Sequence, residues 1–134
     1  DEEVVVISDQ LMDHPLSQIG EVINEEDIFR IMETVLTVRL SEELRYYIVD
    51  IVSRTRADEN VAVGASVRAS LALMKISQAL ALFAERDFVT PDDIRHAAVA
   101  VISHRLQVLP QAKFSGVTPQ SIVLKILEEI VIPG

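Results

Sequence analysis

The chain has 134 residues, a formal net charge of −9 and no cysteine, which excludes disulfides, zinc–cysteine sites and a thiol nucleophile. Its charge argues against broad binding to nucleic-acid backbone or anionic lipid, since both need a positive surface. No apolar run reaches membrane-spanning length and Asp1-Glu2-Glu3 lacks a basic signal-peptide start, so the expected partners include no nucleic acid and no membrane, and the expected location is cytoplasmic.

A chain of this length buries roughly two-thirds of its unfolded surface. About half of its residues are hydrophobic but only 4% are aromatic, with no tryptophan, so the core must be aliphatic and alanine-rich, a composition that suits helices packed on helices. Residues 1–23 combine Val4-Val5-Val6-Ile7, which would suit a short strand or packing segment, with Asp9, Asp13, His14-Pro15 and Gly20. This reads as an extended linker from a larger protein. Asn24 followed by Glu25-Glu26-Asp27 predicts a first helix with Ile28, Ile31, Met32, Val35 and Leu36 on one face. Thr37 to Leu40 suits an extended segment, and Ser41 caps a second helix carrying Leu44, Tyr47, Ile48, Ile51 and Val52.

Polar residues 57–60 lead to Gly64-Ala65-Ser66-Val67-Arg68, which opens a third helix over the apolar run from Ala69 to Phe83. At about 100° per residue, Arg68, Lys75, Gln78 and Glu85 share one narrow polar stripe, so this helix is expected to be the buried centre. Thr90-Pro91-Asp92-Asp93 starts a fourth helix with Ile94, Ala97, Ala98, Val101 and Ile102 inward. Residues 105–109 alternate as a short strand that could pair with 37–40, residues 111–117 read as a loop, and Thr118-Pro119 starts a fifth helix with Ile122, Val123, Ile126, Leu127 and Ile130 inward. The expected fold is all-α: a bundle of about five helices over residues 24–134, with at most a two-stranded ribbon near 37–40 and 105–109.

Gly64 lets the backbone turn, Ser66 can cap the new helix, and Arg68 lies in its first turn. Unpaired N–H donors and a guanidinium at a helix start suit an anion such as phosphate. A capped core helix with a surface arginine explains the same spacing.

Other chemistry is poorly supported. None of Gly20, Gly64, Gly116 or Gly134 precedes a lysine, and residues 4–7 run into Ser8, so the chain has no phosphate loop and no acidic strand end to hold magnesium. His96 and His104 are roughly 12 Å apart on one helix, too far to share a metal. Asp92-Asp93 and Glu128-Glu129 sit where helix starts and solvated faces place acids. No Gly-x-Ser-x-Gly signature occurs, and a helix-turn-helix reading would lead into the groove with Asp92 and Asp93, carboxylates against phosphates.

Three runs, 64–73 (GASVRASLAL), 86–94 (RDFVTPDDI) and 103–106 (SHRL), occur in this order and together resemble the C-terminal lid of MoxR-type AAA+ ATPases. Residues 47–52 running into Thr55-Arg56 and the closing Val117-Thr118-Pro119 helix fit the same pattern, over roughly residues 24–132. The resemblance implies that the fragment alone is no enzyme. The full-length protein would be an ATPase that uses ATP and Mg2+, with its Walker motifs N-terminal to residue 1 in an α/β domain.

It also implies that Arg68 is the sensor-2 residue, contacting phosphate at a nucleotide-facing helix start made by Gly64, Ala65, Ser66 and Arg68, that no metal is bound by the lid, and that the fragment holds no cofactor tightly. The implied partners are neighbouring subunits of a hexameric ring and von Willebrand A-domain proteins, in a chaperone-like role toward partner complexes. Val67 stands where the family usually has proline. The rival reading is a helical adaptor that binds protein partners and no nucleotide.

Overall fold

The computed structural model describes Val4 and residues 20–133, and the expectations for residues 5–19 lie outside that range. The chain divides into two units, residues 1–32 and 33–134. Asn24 begins α1 (Glu25–Thr37) through a reciprocal cap: Asp27 N–H donates to Asn24 Oδ1 (2.9 Å) and Asn24 N–H donates to Asp27 Oδ2 (3.2 Å). The apolar face of α1 forms as the spacing predicts, yet none of its residues is buried.

The second unit holds α2 (Glu42–Ala57), β1 (Val61–Val63), α3 (Val67–Phe83), α4 (Pro91–Ile102) with a 3-10 turn (Ser103–Arg105), β2 (Gln107–Val108), α5 (Pro110–Phe114) and α6 (Pro119–Glu129). The all-α expectation holds, with six α-helices among the described residues and one two-stranded antiparallel ribbon. α3 packs chiefly on α4 and next on α2, and α6 lies against α2 and α4. The inward sets expected for α2, α4 and α6 are all buried, around Ile51, Leu73, Ile94, Ile102 and Val123. Arg95 ties three helices together by donating from Nη1 to Leu127 O (2.6 Å) and to the Tyr47 hydroxyl (3.2 Å).

Three local expectations are corrected. The ribbon does use residues 107–108, but their partner is β1, with Val61 opposite Val108 and Val63 opposite Gln107 across an irregularity. Residues 37–40 do not join it. Arg39 is instead bridged in parallel to Phe88, with Arg39 N–H donating to Asp87 O (2.8 Å) and Val89 N–H to Arg39 O (3.0 Å). The segments entering α2 and α4 thus run side by side, and Val38 and Val89 are both buried.

Residues 111–114, part of the segment 111–117 expected as a loop, belong instead to α5 (Pro110–Phe114). Pro110 supplies a preset first helical position, and Gly116 at φ 84° closes the helix, with Val117 N–H donating to Ala112 O (2.9 Å) and Gly116 N–H to Lys113 O (3.0 Å).

α3 is buried on one face only. Ala69, Leu73, Ser77 and Ala81 recur every fourth residue on that face, while Val67, Leu71, Ile76 and Phe83 are exposed. Gln78 leaves the expected polar stripe for the interior, where its Nε2 donates to Val38 O (2.8 Å) and so keeps a partner.

The α3–α4 turn is held by charge and backbone together. Glu85 takes a positive φ of 56°, and Arg86 N–H donates back to Ala81 O (2.9 Å), a closure usually given to glycine. The Arg86 guanidinium then grips Asp93 with both arms (2.8 and 2.7 Å), and the N–H and hydroxyl of Thr90 donate to the same carboxylate (2.8 Å each). Burial pushes the Asp93 carboxyl up, but the Arg86 and Thr90 hydrogen bonds and the Arg86 charge outweigh it and hold the group below its ordinary 3.8.

A depressed carboxylate contributes stability that is present above the unfolded-state value and is lost as pH falls through the folded-state value. Asp93→Asn is therefore expected to be less stable at neutral pH and to lose less on acidification. Urea midpoints measured from about pH 6 down to about pH 2 test this, with a steeper slope for the native chain as the expected result.

Candidate functional site

The Gly64–Arg68 stretch follows β1, which the ribbon carries past the C-terminal end of α2. Gly64 lies directly on Arg56: a Cβ at residue 64 would come within 2.6 Å of Arg56 Cγ and 2.7 Å of Arg56 Cα. The need for glycine here is this close approach, since Arg56 Cα and N are backbone atoms that cannot swing away.

Both backbone polar groups of the next residue are then taken up by α2. Ala65 N–H donates to Thr55 Oγ1 (3.0 Å), and Ala65 O accepts from Arg56 Nη1 (2.7 Å). The Thr55 hydroxyl is itself oriented, because its proton goes to Val52 O (2.6 Å), and the second arm of Arg56 donates to Ser53 Oγ (2.9 Å). Thr55 and Ala65 are buried, at 0% and 1% exposure.

Ser66 occupies the N-cap position in extended conformation (φ −92°, ψ 174°), and its carbonyl accepts from Ala69 N–H (2.8 Å) to begin α3. The expected side-chain cap is absent: the Ser66 hydroxyl accepts no hydrogen bond from the first turn. As a result, the Val67 and Arg68 N–H groups at the start of α3 keep their donor capacity, while that of Ala69 is spent on Ser66 O. Arg68 projects from this turn, exposed, with no hydrogen bond or ion pair among the described residues. Of the four residues expected at this helix start, Ser66 and Arg68 are exposed and Gly64 is half-buried, whereas Ala65 is buried with both backbone polar groups spent on α2 and has none to offer a ligand. The donor set fits the phosphate end of a nucleotide, and it offers no carboxylate for Mg2+.

Beside the turn, a groove of about 230 Å³ runs between α2 and α3, with Ile48, Val49, Val67, Leu71 and Met74 among its walls and Arg45 and Arg56 as its charged residues among those described. The stem of Arg56 thus contributes to the groove while its guanidinium holds Ala65.

Sequence reasoning reached Thr55 and Arg56 only as part of a family pattern and assigned them no task. The signal available was a threonine and an arginine at a helix end, ten residues or fewer before a glycine turn. β1, which brings the two together, is too short to show a period.

The AAA lid domain family matches residues 53–126, from the end of α2 through most of α6. The uncharacterised protein YeaC of Bacillus subtilis (strain 168) is 40% identical over 132 residues, which is 98% of this chain and 41% of YeaC. Chaperone MoxR1 of Mycobacterium tuberculosis (strain H37Rv) is 29% identical over 125 residues, 87% of this chain and 33% of MoxR1. The crystal structure of a candidate ATPase from Cytophaga hutchinsonii superposes with a TM-score of 0.87 at 27% identity, over 99% of this chain and 42% of that one. The chain thus spans about two-fifths of YeaC and a third of MoxR1.

The geometry at Gly64 makes a specific demand on stability. Gly64→Ala is expected to cost about 1–3 kcal/mol, because the new methyl must push the Arg56 backbone aside. Urea unfolding of the 134-residue chain measures it, and a change below about 0.5 kcal/mol would show that the contact yields freely.

Proposed function

The chain belongs to the AAA lid domain family and carries its MoxR-type pattern, and on that premise we propose that it closes over ATP held by an N-terminal α/β domain of the same protein. In this reading residues 1–23 link the two domains and residues 24–134 are the lid. The observation that carries it is the unpaired, exposed Arg68 at a helix start whose side-chain cap is unused.

The guanidinium of Arg68 presents a planar fork suited to phosphoryl oxygens, and the N–H groups of the first turn of α3 point the positive end of the helix the same way. Bound ATP supplies the phosphoryl group, with Mg2+ carried by the other domain. Arg68 contributes a fixed positive charge as sensor 2, which offsets charge at the transferring group without reorganisation at the moment of reaction. Gly64, Ala65 and Ser66 shape the approach and place that charge.

The whole protein is then an ATPase that assembles as a hexameric ring in the cytoplasm and acts as a chaperone toward partner complexes, with von Willebrand A-domain proteins as partners. One observation favours a second reading: the apolar groove beside the turn would suit a helical adaptor that binds protein segments and no nucleotide.

The two readings separate at Arg68. Arg68→Ala in the full-length protein is expected to lower ATP turnover by about tenfold or more, while changing the stability of the 134-residue chain by less than about 0.5 kcal/mol. Retained turnover would remove the sensor-2 assignment and leave the adaptor. In the isolated chain, ATP titration is expected to give only weak shifts at the amides of residues 64–69, since the phosphate loop and magnesium ligands lie elsewhere; tight binding would contradict that division of labour.

A further inference from the structure

We propose that Thr55 and Arg56 are positioning residues that aim Arg68, an inference that rests on the lid reading. The start of α3 has few anchors. The Ser66 side chain forms no cap, Val67 is 69% exposed, and Arg68 has no partner among the described residues. The turn is fixed on one side by Ala65 and on the other by the fully buried Ala69.

Ala65 in turn is held by α2 alone. Its N–H goes to Thr55 Oγ1 at 3.0 Å and its carbonyl accepts from Arg56 Nη1 at 2.7 Å. Neither holder can drift. The Thr55 hydroxyl spends its proton on Val52 O, Arg56 spends its second arm on Ser53 Oγ, and Gly64 is pressed onto the Arg56 backbone. These bonds are not needed to close α2, whose end is capped by Asp58 N–H donating to Arg54 O (3.0 Å).

Two residues, Ser66 and Val67, separate the held Ala65 from Arg68, and from Val67 onward the backbone is helical. The direction of the first α3 N–H groups and of the Arg68 side chain follows from where α2 places Ala65. Valine at position 67 does not preset the backbone as a proline would, so in this chain the two side chains of α2 supply the stiffness. They act through Arg68 and touch no substrate.

The test is a double-mutant cycle in the full-length ATPase. Thr55→Val removes the acceptor at constant shape, Thr55→Ser keeps it, and Arg56→Lys keeps the charge and stem while removing the fork. With Arg68 present, Thr55→Val and Arg56→Lys are each expected to lower kcat by about tenfold, with a smaller change in KM and with Thr55→Ser close to native. In the Arg68→Ala background the same two substitutions are expected to change kcat by less than about twofold, because the guanidinium they aim is gone and only the weaker N–H donors remain.

A merely structural role would lower activity by the same factor in both backgrounds, and that result overturns the proposal. Turnover lowered by Arg68→Ala but untouched by Thr55→Val and Arg56→Lys overturns the positioning role alone. Turnover untouched by Arg68→Ala overturns the lid reading and this inference with it. Amide relaxation of residues 65–69 in the 134-residue chain, recorded where every variant is folded, gives a second readout: mobility should rise in Thr55→Val and Arg56→Lys and stay native in Thr55→Ser. Unchanged mobility in the first two counts against the proposal.

Discussion

The backbone contact between Gly64 and Arg56 governs how the rest of the helical unit is assembled. Because a side chain at position 64 would collide with Arg56 Cα and N, this point of the chain can lie flush against α2 only as glycine. From there the path is determined in both directions. Upstream, β1 must run beside β2, which ties residues 107–109 and the start of α5 to the end of α2; Leu109 N–H completes the link by donating to Asn60 O at 2.8 Å. Downstream, both polar groups of Ala65 are satisfied by α2 before α3 begins. A buried peptide group left without partners costs about 1–3 kcal/mol, so the chain has few other ways to leave the ribbon. The small-residue face of α3, carrying Ala69, Leu73, Ser77 and Ala81, then lies where α4 can pack closely on it.

The parts of this arrangement that were legible in the sequence are those set by local chemistry. Helix starts at Asn24, Ser41, Thr90 and Thr118 are marked by capping residues followed by acids or proline, and the inward faces of α2, α4 and α6 repeat at three and four. Both signals depend on residues within one or two turns of each other. The helix start at Ser66 was legible in position, but the side-chain cap expected there does not form. What escaped depends on residues far apart. The partner of β2 is chosen by which three-residue segment passes alongside it, and Val61-Ala62-Val63 has no more β character than residues 38–40. Gln78 looks solvated on a helical wheel, yet Val38 O lies within reach of it across 40 positions. Glu85 shows no sign of a left-handed turn, since glycine is the usual marker. Thr55 and Arg56 belong to the same class: their side chains matter for a backbone nine or ten residues on.

Most arginine side chains among the described residues have a hydrogen-bond or ion-pair partner, and Arg68 and Arg45 are the exceptions. In a chain with 21 acids and 12 bases, arginines have carboxylates in plentiful supply. Arg39, Arg54 and Arg86 pair with Asp87, Asp50 and Asp93, and Arg56, Arg95 and Arg105 donate to backbone carbonyls. Among the described residues Arg68 and Arg45 do neither, and the groove beside the turn, which Arg45 lines, has no carboxylate among the described residues of its wall.

That absence of a local acid bears on what the turn can do. A carboxylate next to Arg68 would hold the guanidinium in an internal ion pair, and an incoming anion would have to displace it, forfeiting much of the charge-assisted hydrogen bonding it gains. A side-chain cap from Ser66 would likewise occupy one of the N–H donors an anion needs. The structure uses neither. Stability is found one step away, in the grip of α2 on Ala65 and in the burial of Ala69, so the first turn of α3 is held in place by groups that do not compete for its donors. A rigid support behind an unsatisfied surface is what electrostatic preorganisation requires, since donors fixed in advance need not be reoriented when charge arrives. The same separation explains why a surface arginine and a buried threonine 13 positions apart can belong to one device: one presents charge, and the other fixes where it points.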